Sequence, residues 1–260
     1  MKKLLTIITV CKNSEQTIER TIKSVKREMQ HLDHDLLLEY IIIDGGSSDS
    51  TLSIIEKHRT SVDCLVTESD RGIYEAMNKG WKLATGSFVL FLNSDDSLKK
   101  SSLQSIVDLL QYARDYNVSV ITATTEVIRV KNGDSYNLSL LKFGLNSLFA
   151  NNPVPHPSTI ISRNLLKQYG GFDEQYTVAS DYKFFVQVLG DKDNEIITSS
   201  STWVSMQSGG ASDQYKSLSN LIKIEKELWS IQLKYFGFTR SLLSLSLRLL
   251  SHIKVLIRKK

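Results

Sequence analysis

Apolar residues in this chain fall into short runs joined by stretches with helical spacing. L-L-T-I-I-T-V (4–10) is a β-branched run bounded by polar residues, which predicts a buried strand. Asn13 or Ser14 then caps a helix whose apolar positions Ile18, Ile22, Val25 and Met29 recur at helical intervals. E-Y-I-I-I-D (39–44) predicts a second buried strand, followed by the turn G-G-S-S-D-S and a helix through Leu52, Ile54 and Ile55. C-L-V-T (64–67) predicts a third strand. The next helix turns Ile73, Ala76, Met77, Trp81 and Ala84 inward and stops at Gly86. S-F-V-L-F-L (87–92) predicts a fourth strand that ends at N-S-D-D (93–96). Four strand–helix alternations predict an α/β fold, a mostly parallel central sheet flanked by helices with its site at the carboxyl ends of the strands. Later signals are sparser: a helix over Leu98–Tyr112, strand-like runs at 118–123 and 126–130, a helix near 181–190 and a strand near 195–206.

The last segment has its own pattern. At 100° per residue Leu242, Leu245, Leu249, Leu250, Ile253, Leu256 and Ile257 share one broad face. Arg240, Ser244, Arg248, Ser251, Arg258 and Lys259 fall opposite. Arg248 and Lys254 interrupt any uncharged run near the roughly 20 residues a membrane span requires. A basic amphipathic helical extension of this kind suits the interface of an anionic membrane. The alternative is a helix packed on its own domain with a solvated basic face.

Charge sharpens that division. The chain of 260 residues carries a net +4, yet Leu228–Lys260 holds seven basic residues and no acid, leaving a net −3 on the rest. The expected organisation is a domain over 1–212 and a basic amphipathic tail over 213–260. The tail's partner is an anionic lipid surface contacted through 228–260, not nucleic acid. Length and a 41% apolar content give one large domain that folds without staples. Cys11 and Cys64 lack metal-ligand spacing, and two cysteines cannot form a disulfide framework, which favours a reducing, cytoplasmic setting. M-K-K-L-L-T-I-I-T-V imitates a signal peptide, but the run stops at Cys11-Lys12-Asn13, so a buried strand fits better.

Polar residues collect at the predicted strand ends: Thr9 and Lys12, Asp44, Glu68 and Asp70, then Asp95 and Asp96. Such carboxylates suit a hard cation, Mg²⁺ or Mn²⁺, which takes one or two of them plus substrate phosphates. Each has a plainer reading as well. Asp96 or Ser97 would cap the helix that follows, Asp44 would close a turn before Gly45-Gly46, and Asp181 would cap the helix of D-Y-K-F-F-V-Q-V-L. His156 lies in the rigid loop P-V-P-H-P (153–157), either packing that loop or bordering a substrate. G-x-G-x-x-G after the first strand, G-x-x-x-x-G-K-[ST] and G-x-S-x-G are all absent, so hydride transfer, P-loop phosphoryl transfer and acyl chemistry have no support.

Five segments in order resemble a family 2 glycosyltransferase with the GT-A fold, over roughly 4–210. They are T-I-I-T-V-C-K-N-S-E-Q-T-I (6–18), I-I-I-D-G-G-S-S-D-S-T (41–51), S-D-R-G-I-Y-E-A-M-N-K-G (69–80) with A-T-G-S-F-V-L-F-L-N-S-D-D (84–96), H-P-S-T-I-I-S-R (156–163) and G-G-F-D-E-Q-Y-T-V-A-S-D-Y-K-F (170–184). The resemblance implies a metal-assisted, inverting transfer of a sugar from a nucleotide sugar to an acceptor hydroxyl. The donor base would be UDP first, with GDP or dTDP as alternatives. Thr9, Val10 and Asp44 would hold nucleobase and ribose, and Asp70, Arg71, Asn78 and Ser94 would line the nucleotide and donor-sugar side. Asp95, with Asp96, would bind the divalent cation, Asp181 would be the general base, and His156 would face the acceptor. Members of this kind build bacterial surface polysaccharide or lipopolysaccharide on lipid-linked acceptors, which implies a peripheral enzyme on the inner face of the cell membrane. Asn93 stands where the family's D-x-D motif often begins with Asp, and Ser180 where Glu often precedes the base. Those departures leave a catalytically impaired nucleotide-sugar-binding protein as one alternative, and a sugar nucleotidyltransferase as another.

Overall fold

The structure, a computed structural model, describes residues 3–32, 38–129, 133–140, 148, 152, 154–208 and 218–257, in the last stretch with side chains over 219–250. The elements run β1 (Leu5–Cys11), α1 (Ile18–Gln30), β2 (Leu38–Asp44), α2 (Thr51–Lys57), β3 (Cys64–Thr67), α3 (Ile73–Leu83), β4 (Phe88–Phe91), β5 (Asp96–Leu98) and α4 (Ser102–Asp115). Then come β6 (Val120–Ile128), β7 (Ser135–Leu138), β8 (Thr159–Ser162), α5 (Arg163–Tyr169), α6 (Ser180–Gly190), β9 (Ile196–Gln207) and α7 (Leu218–Ile257). One sheet joins all the strands in the order β3-β2-β1-β4-β8-β6-β9-β5, with β7 added beside β6.

Strand alternation divides the core into two layers. Ile8 and Val10 of β1 and Ile41 and Ile43 of β2 face the layer that includes α3, α6 and the first part of α7. Leu5, Ile7, Tyr40 and Ile42 face α1 and α4. Glycines set two close approaches: a Cβ on Gly80 would lie 2.5 Å from Ile8 Cγ2, and one on Gly86 2.7 Å from the Thr6 backbone nitrogen. The carboxyl ends of β1, β2 and β4 therefore open at one edge, above a rigid floor.

Three expectations need correction. The sheet is mixed: β1, β2, β3 and β4 are parallel, but β8 runs antiparallel to β4 and β6, and β5 antiparallel to β9. The runs at 118–123 and 126–130 merge into the single strand β6. The helix expected from Leu98 begins at Ser102, because Asp96–Leu98 pairs with Val204–Met206 as β5; Asp96 is a strand residue, not a helix cap.

The C-terminal segment turns Ser244 and Arg248 of its polar stripe inward and leaves Arg240 exposed. Gly237 (φ 77°, ψ 172°) breaks α7 into two arms. The second arm folds back so that Arg248 Nε lies 2.9 Å from Glu225 Oε2 and Nη1 donates to Gln232 Oε1 at 3.0 Å. Ser241 and Ser244 are fully buried, whereas Leu242, Leu243, Leu247, Leu249 and Leu250 are exposed. Arg248 was expected on a solvated face; an ion pair with Glu225 removes the cost of burying it. Residue 212, the expected domain boundary, lies outside the described residues, as do Arg258–Lys260.

Candidate active site

A cleft of about 620 Å³ opens at the carboxyl ends of the parallel strands. Its walls include Val10 and Lys12 after β1, Asp70 before α3, Ser94 and Asp95 after β4, His156, and Asp181 in the first turn of α6. These come from five separated segments, so the cleft is a product of the fold and of no single motif.

The β4–β5 turn is held by its backbone. Thr21 Oγ1 donates to the Ser94 and Asp96 carbonyls at 2.9 and 2.6 Å, and an Arg20 Nη2 donates to the Asp95 carbonyl. Ser14 and Ser94 hydroxyls meet at 2.9 Å. The side chains are left over. Both carboxylate oxygens of the fully buried Asp96, and the buried amide oxygen of Asn93, have no hydrogen-bond partner among the described residues. Burial raises the pKa of Asp95 above its ordinary value, with Arg20 opposing. Burial, then the neighbouring Asp95, raises that of Asp96 well above the carboxylate range. Carboxylates stay ionised in such a place when a cation sits beside them. Among the described residues no group of three or more His, Cys, Asp or Glu side chains converges. Asn93 and Asp95 line the cleft with oxygens of the kind a hard divalent ion takes beside phosphate and water, whereas Asp96 is fully buried and is not among the residues that line it.

Asp181 does not cap α6, since the N-cap is Ala179. Its Oδ1 accepts the Tyr74 hydroxyl at 3.0 Å and its Oδ2 the Asn152 amide at 3.1 Å. Both oxygens are thereby aimed, and each keeps a lone pair. His156 is half-buried, its ring among Phe91, Phe172 and Phe185 and its buried Nε2 unpartnered among the described residues. Burial lowers its pKa, with Asp181 opposing, so the ring is neutral at pH 7.

Other candidates lie away from the cleft wall. Asp44 is fully buried and closes the turn after β2, accepting from the Gly46 and Ser47 N–H groups at 3.1 and 3.0 Å and from the Ser47 hydroxyl. Thr9 is fully buried and hydrogen-bonded to Tyr40 at 3.1 Å. Asn78 is engaged at both ends, donating to the Phe172 carbonyl and Glu174 and accepting from Trp81 and the Phe172 N–H. Arg71 projects into solvent, held by Glu75 and Glu174 at 2.7 and 2.6 Å. Asp70 does reach the cleft, 3.8 Å from Lys12 Nζ; a Cβ on Gly45 would sit 2.1 Å from its Oδ2, so residue 45 must be glycine for Asp70 to stand there. Tyr74, Asn152 and Arg20 were missed as supports. Tyr74 had a signal, one residue after the apolar Ile73 and inside a matched segment; Asn152 and Arg20 had none.

The family model for glycosyl transferase family 2 matches residues 6–170. A PGL/p-HBAD biosynthesis glycosyltransferase of Mycobacterium tuberculosis is 28% identical over 159 residues, 59% of this chain and 59% of the relative. An uncharacterized glycosyltransferase of Haemophilus influenzae is 25% identical over 200 residues, 71% of this chain and 60% of the relative. The chain thus spans about 60% of the length of these curated relatives. Among solved structures, S. aureus TarS 1–349 in complex with UDP-GlcNAc superposes with a TM-score of 0.68 at 21% identity, covering 90% of this chain and 67% of TarS 1–349. The mannosyltransferase PcManGT of Pyrobaculum calidifontis, in complex with GDP-Man and Mn²⁺, superposes with a TM-score of 0.61 at 20% identity, covering 89% of this chain and 63% of PcManGT. These similarities establish the fold as GT-A-like.

Proposed function

Because the chain belongs to glycosyl transferase family 2, we propose that it moves a sugar from a nucleotide-sugar donor to an acceptor hydroxyl in a single inverting displacement. The observation that carries this reading is that Asp95, after β4, and Asp181, in the first turn of α6, line one cleft. In such a displacement the acceptor oxygen bonds to the anomeric carbon as the bond from that carbon to the diphosphate breaks. The acceptor proton passes to Asp181, whose two oxygens are oriented by Tyr74 and Asn152. Lys12, on the cleft wall, faces the negative charge that gathers on the leaving diphosphate. Asp95, with Asn93, would hold Mg²⁺ or Mn²⁺, which supplies Lewis-acid neutralisation of that charge. Ser94 and Asp70 then border the donor, and His156, neutral beside Asp181, borders the acceptor.

Asp181→Asn tests the base. It keeps an acceptor for Tyr74 but cannot take the proton, so turnover falls about 10²–10⁴-fold while donor binding is retained. Wild-type turnover in that variant sinks the assignment. The donor is UDP-linked by first preference; UDP-GlcNAc on TarS and GDP-Man on PcManGT make both bases part of the test. A thermal-shift panel of UDP-, GDP- and dTDP-sugars with and without Mn²⁺ identifies it, since binding stabilises by RT ln(1 + [L]/Kd).

The acceptor we infer is a lipid-linked glycan of surface polysaccharide or lipopolysaccharide assembly, met at the inner face of the cell membrane. No helix among the described residues is long and apolar enough to cross a membrane. Support for a peripheral contact is the leucine-rich outer face of the second arm of α7, in a segment with seven basic residues and no acid. Of the expected 213–260 tail, the first arm of α7 packs Ile224, Leu228 and Ile231 into the core beside β1 and β2, so this reading gives the membrane contact to the second arm alone.

A further inference from the structure

One carboxylate of the C-terminal segment reaches into the wall of the cleft. Glu227, on the first arm of α7, accepts four hydrogen bonds from the three residues that lead into α6. Its Oε1 takes the Thr177 N–H at 2.9 Å and the Thr177 hydroxyl at 2.6 Å. Its Oε2 takes the Val178 and Ala179 N–H groups, both at 3.0 Å. Thr177 and Val178 line the cleft, Ala179 is the N-cap of α6, and Asp181 follows two residues later.

Three successive backbone N–H groups of a loop need acceptors when they leave water. Glu227, 48 to 50 residues further along the chain, supplies them for the segment that leads into α6. Burial opposes its charge, but the Thr177 hydroxyl and the backbone N–H groups outweigh burial and hold its carboxyl below the ordinary glutamate value. Tyr74 fixes the same loop from the other side, donating to the Val178 carbonyl at 2.7 Å and to Asp181 at 3.0 Å. Loop and carboxylate are thus clamped between α3 and α7.

We propose that Glu227 is a positioning residue for sugar transfer, holding 177–179 so that Asp181 meets the acceptor hydroxyl. This rests on Asp181 being the base. It also makes the first arm of α7 part of the catalytic unit, joined by hydrogen bonds to the loop that carries the base. A displacement near 1 Å at a reacting group costs about 10²-fold in rate, which sets the size of the effect to look for.

The test uses the full chain with Glu227→Ala, Glu227→Gln and Asp181→Asn. Turnover is read as nucleoside diphosphate released from whichever sugar nucleotide of the UDP, GDP and dTDP panel shifts the melting temperature most, with a detergent extract of lipid-linked glycans as acceptor. Hydrogen exchange of the 177–179 amides is read alongside. Glu227→Ala should lower kcat by roughly 30- to 100-fold with donor KM within about twofold, and should speed exchange at those amides. Glu227→Gln keeps one carbonyl acceptor and should recover part of the loss. Wild-type kcat in Glu227→Ala overturns the proposal, as does unchanged exchange at 177–179. A parallel fall of kcat, donor affinity and melting temperature, with no recovery in Glu227→Gln, also overturns it by reducing Glu227 to a folding contact. Wild-type turnover in Asp181→Asn is a different failure: it removes the base, and the exchange result still decides whether Glu227 holds the loop.

Discussion

In β1, β2 and β4 nearly every side chain is buried, on both faces of the sheet. In the second arm of α7 the arrangement is inverted: Ser241 and Ser244 are fully buried beside Arg248, and Phe238, Leu243 and Leu250 are 64, 54 and 55% exposed. The difference lies in what each element packs against. A parallel strand is covered on both faces by helices, so nearly every side chain must be apolar. The second arm is covered on one face only, by the first arm, where small serines allow close approach and Glu225 neutralises Arg248. Periodicity states which residues share a face; the neighbour's chemistry decides which face is covered.

The sharpest way to break this comparison is to remove the charge partner in the hairpin. The side chains of Glu225 and Arg248 are 11 and 10% exposed. Glu225→Ala leaves the guanidinium buried beside neutral groups, and stability should fall by about 3–5 kcal/mol. A chain of this size loses roughly 2–4 °C of Tm per kcal/mol, so calorimetry should find a drop near 10 °C. A drop under about 2 °C would mean that the serine–arginine face does not hold the arms together.

Next comes one methyl group in the parallel half. Gly86→Ala drives a Cβ to 2.7 Å from the Thr6 backbone nitrogen and 2.8 Å from the Leu5 carbonyl carbon, with backbone rather than a flexible side chain in the way. Overpacking of that kind should cost about 1–3 kcal/mol in chemical denaturation. An unchanged midpoint would show that this half yields where its close contacts say it cannot.

The effect of acid on the Glu227 clamp is smaller. Its folded pKa lies below the ordinary 4.5, the burial that opposes its charge being outweighed by the hydrogen bonds from 177–179. The clamp's contribution is therefore complete above that value and lost as pH falls through the lower folded one. The Tm gap between wild type and Glu227→Gln should be constant from neutral pH to about 5, then close. A gap that widens in acid contradicts the ionised clamp.

How legible each part was follows from the range of its interactions. The strands β1, β2 and β4 came from runs such as E-Y-I-I-I-D because a strand buried on both faces leaves a purely local trace, and the half-buried edge strand β3 from the short run C-L-V-T. Asp70, Ser94, Asp95, His156 and Asp181 were found in matched segments and do share one cleft. The antiparallel strands β5 and β8 were hidden, since Asp96–Leu98 is a strand only because Val204–Met206, more than a hundred residues on, pairs with it. Asp44 and Asn78 drew attention by type and position, yet the structure commits their polar atoms to a turn and to the Phe172 backbone. Glu227 left no mark because its partners lie 48 to 50 residues upstream. Arg248 was turned the wrong way for the same reason: Glu225, the residue that allows its burial, is 23 positions away.

The last test has the smallest effect on folding and addresses the face that the hairpin leaves open. Leu243 and Leu250 are 54 and 55% exposed, so Leu243→Asp with Leu250→Asp removes little internal packing, and stability should move by no more than about 1 kcal/mol. Against a membrane the two leucines should matter far more. Burying a leucine side chain contributes about 1.5–3 kcal/mol, and each new aspartate also opposes the roughly 1 kcal/mol that a lysine or arginine gains near anionic lipid. Cosedimentation with phosphatidylserine-containing vesicles should therefore fall at least tenfold while Tm stays in place. Salt should weaken wild-type binding without abolishing it, because the leucine part is not screened. If the double variant binds vesicles as well as wild type does, the exposed leucines are not the contact. If it loses ten degrees of Tm instead, those leucines are packed, and the contrast between the two regions disappears.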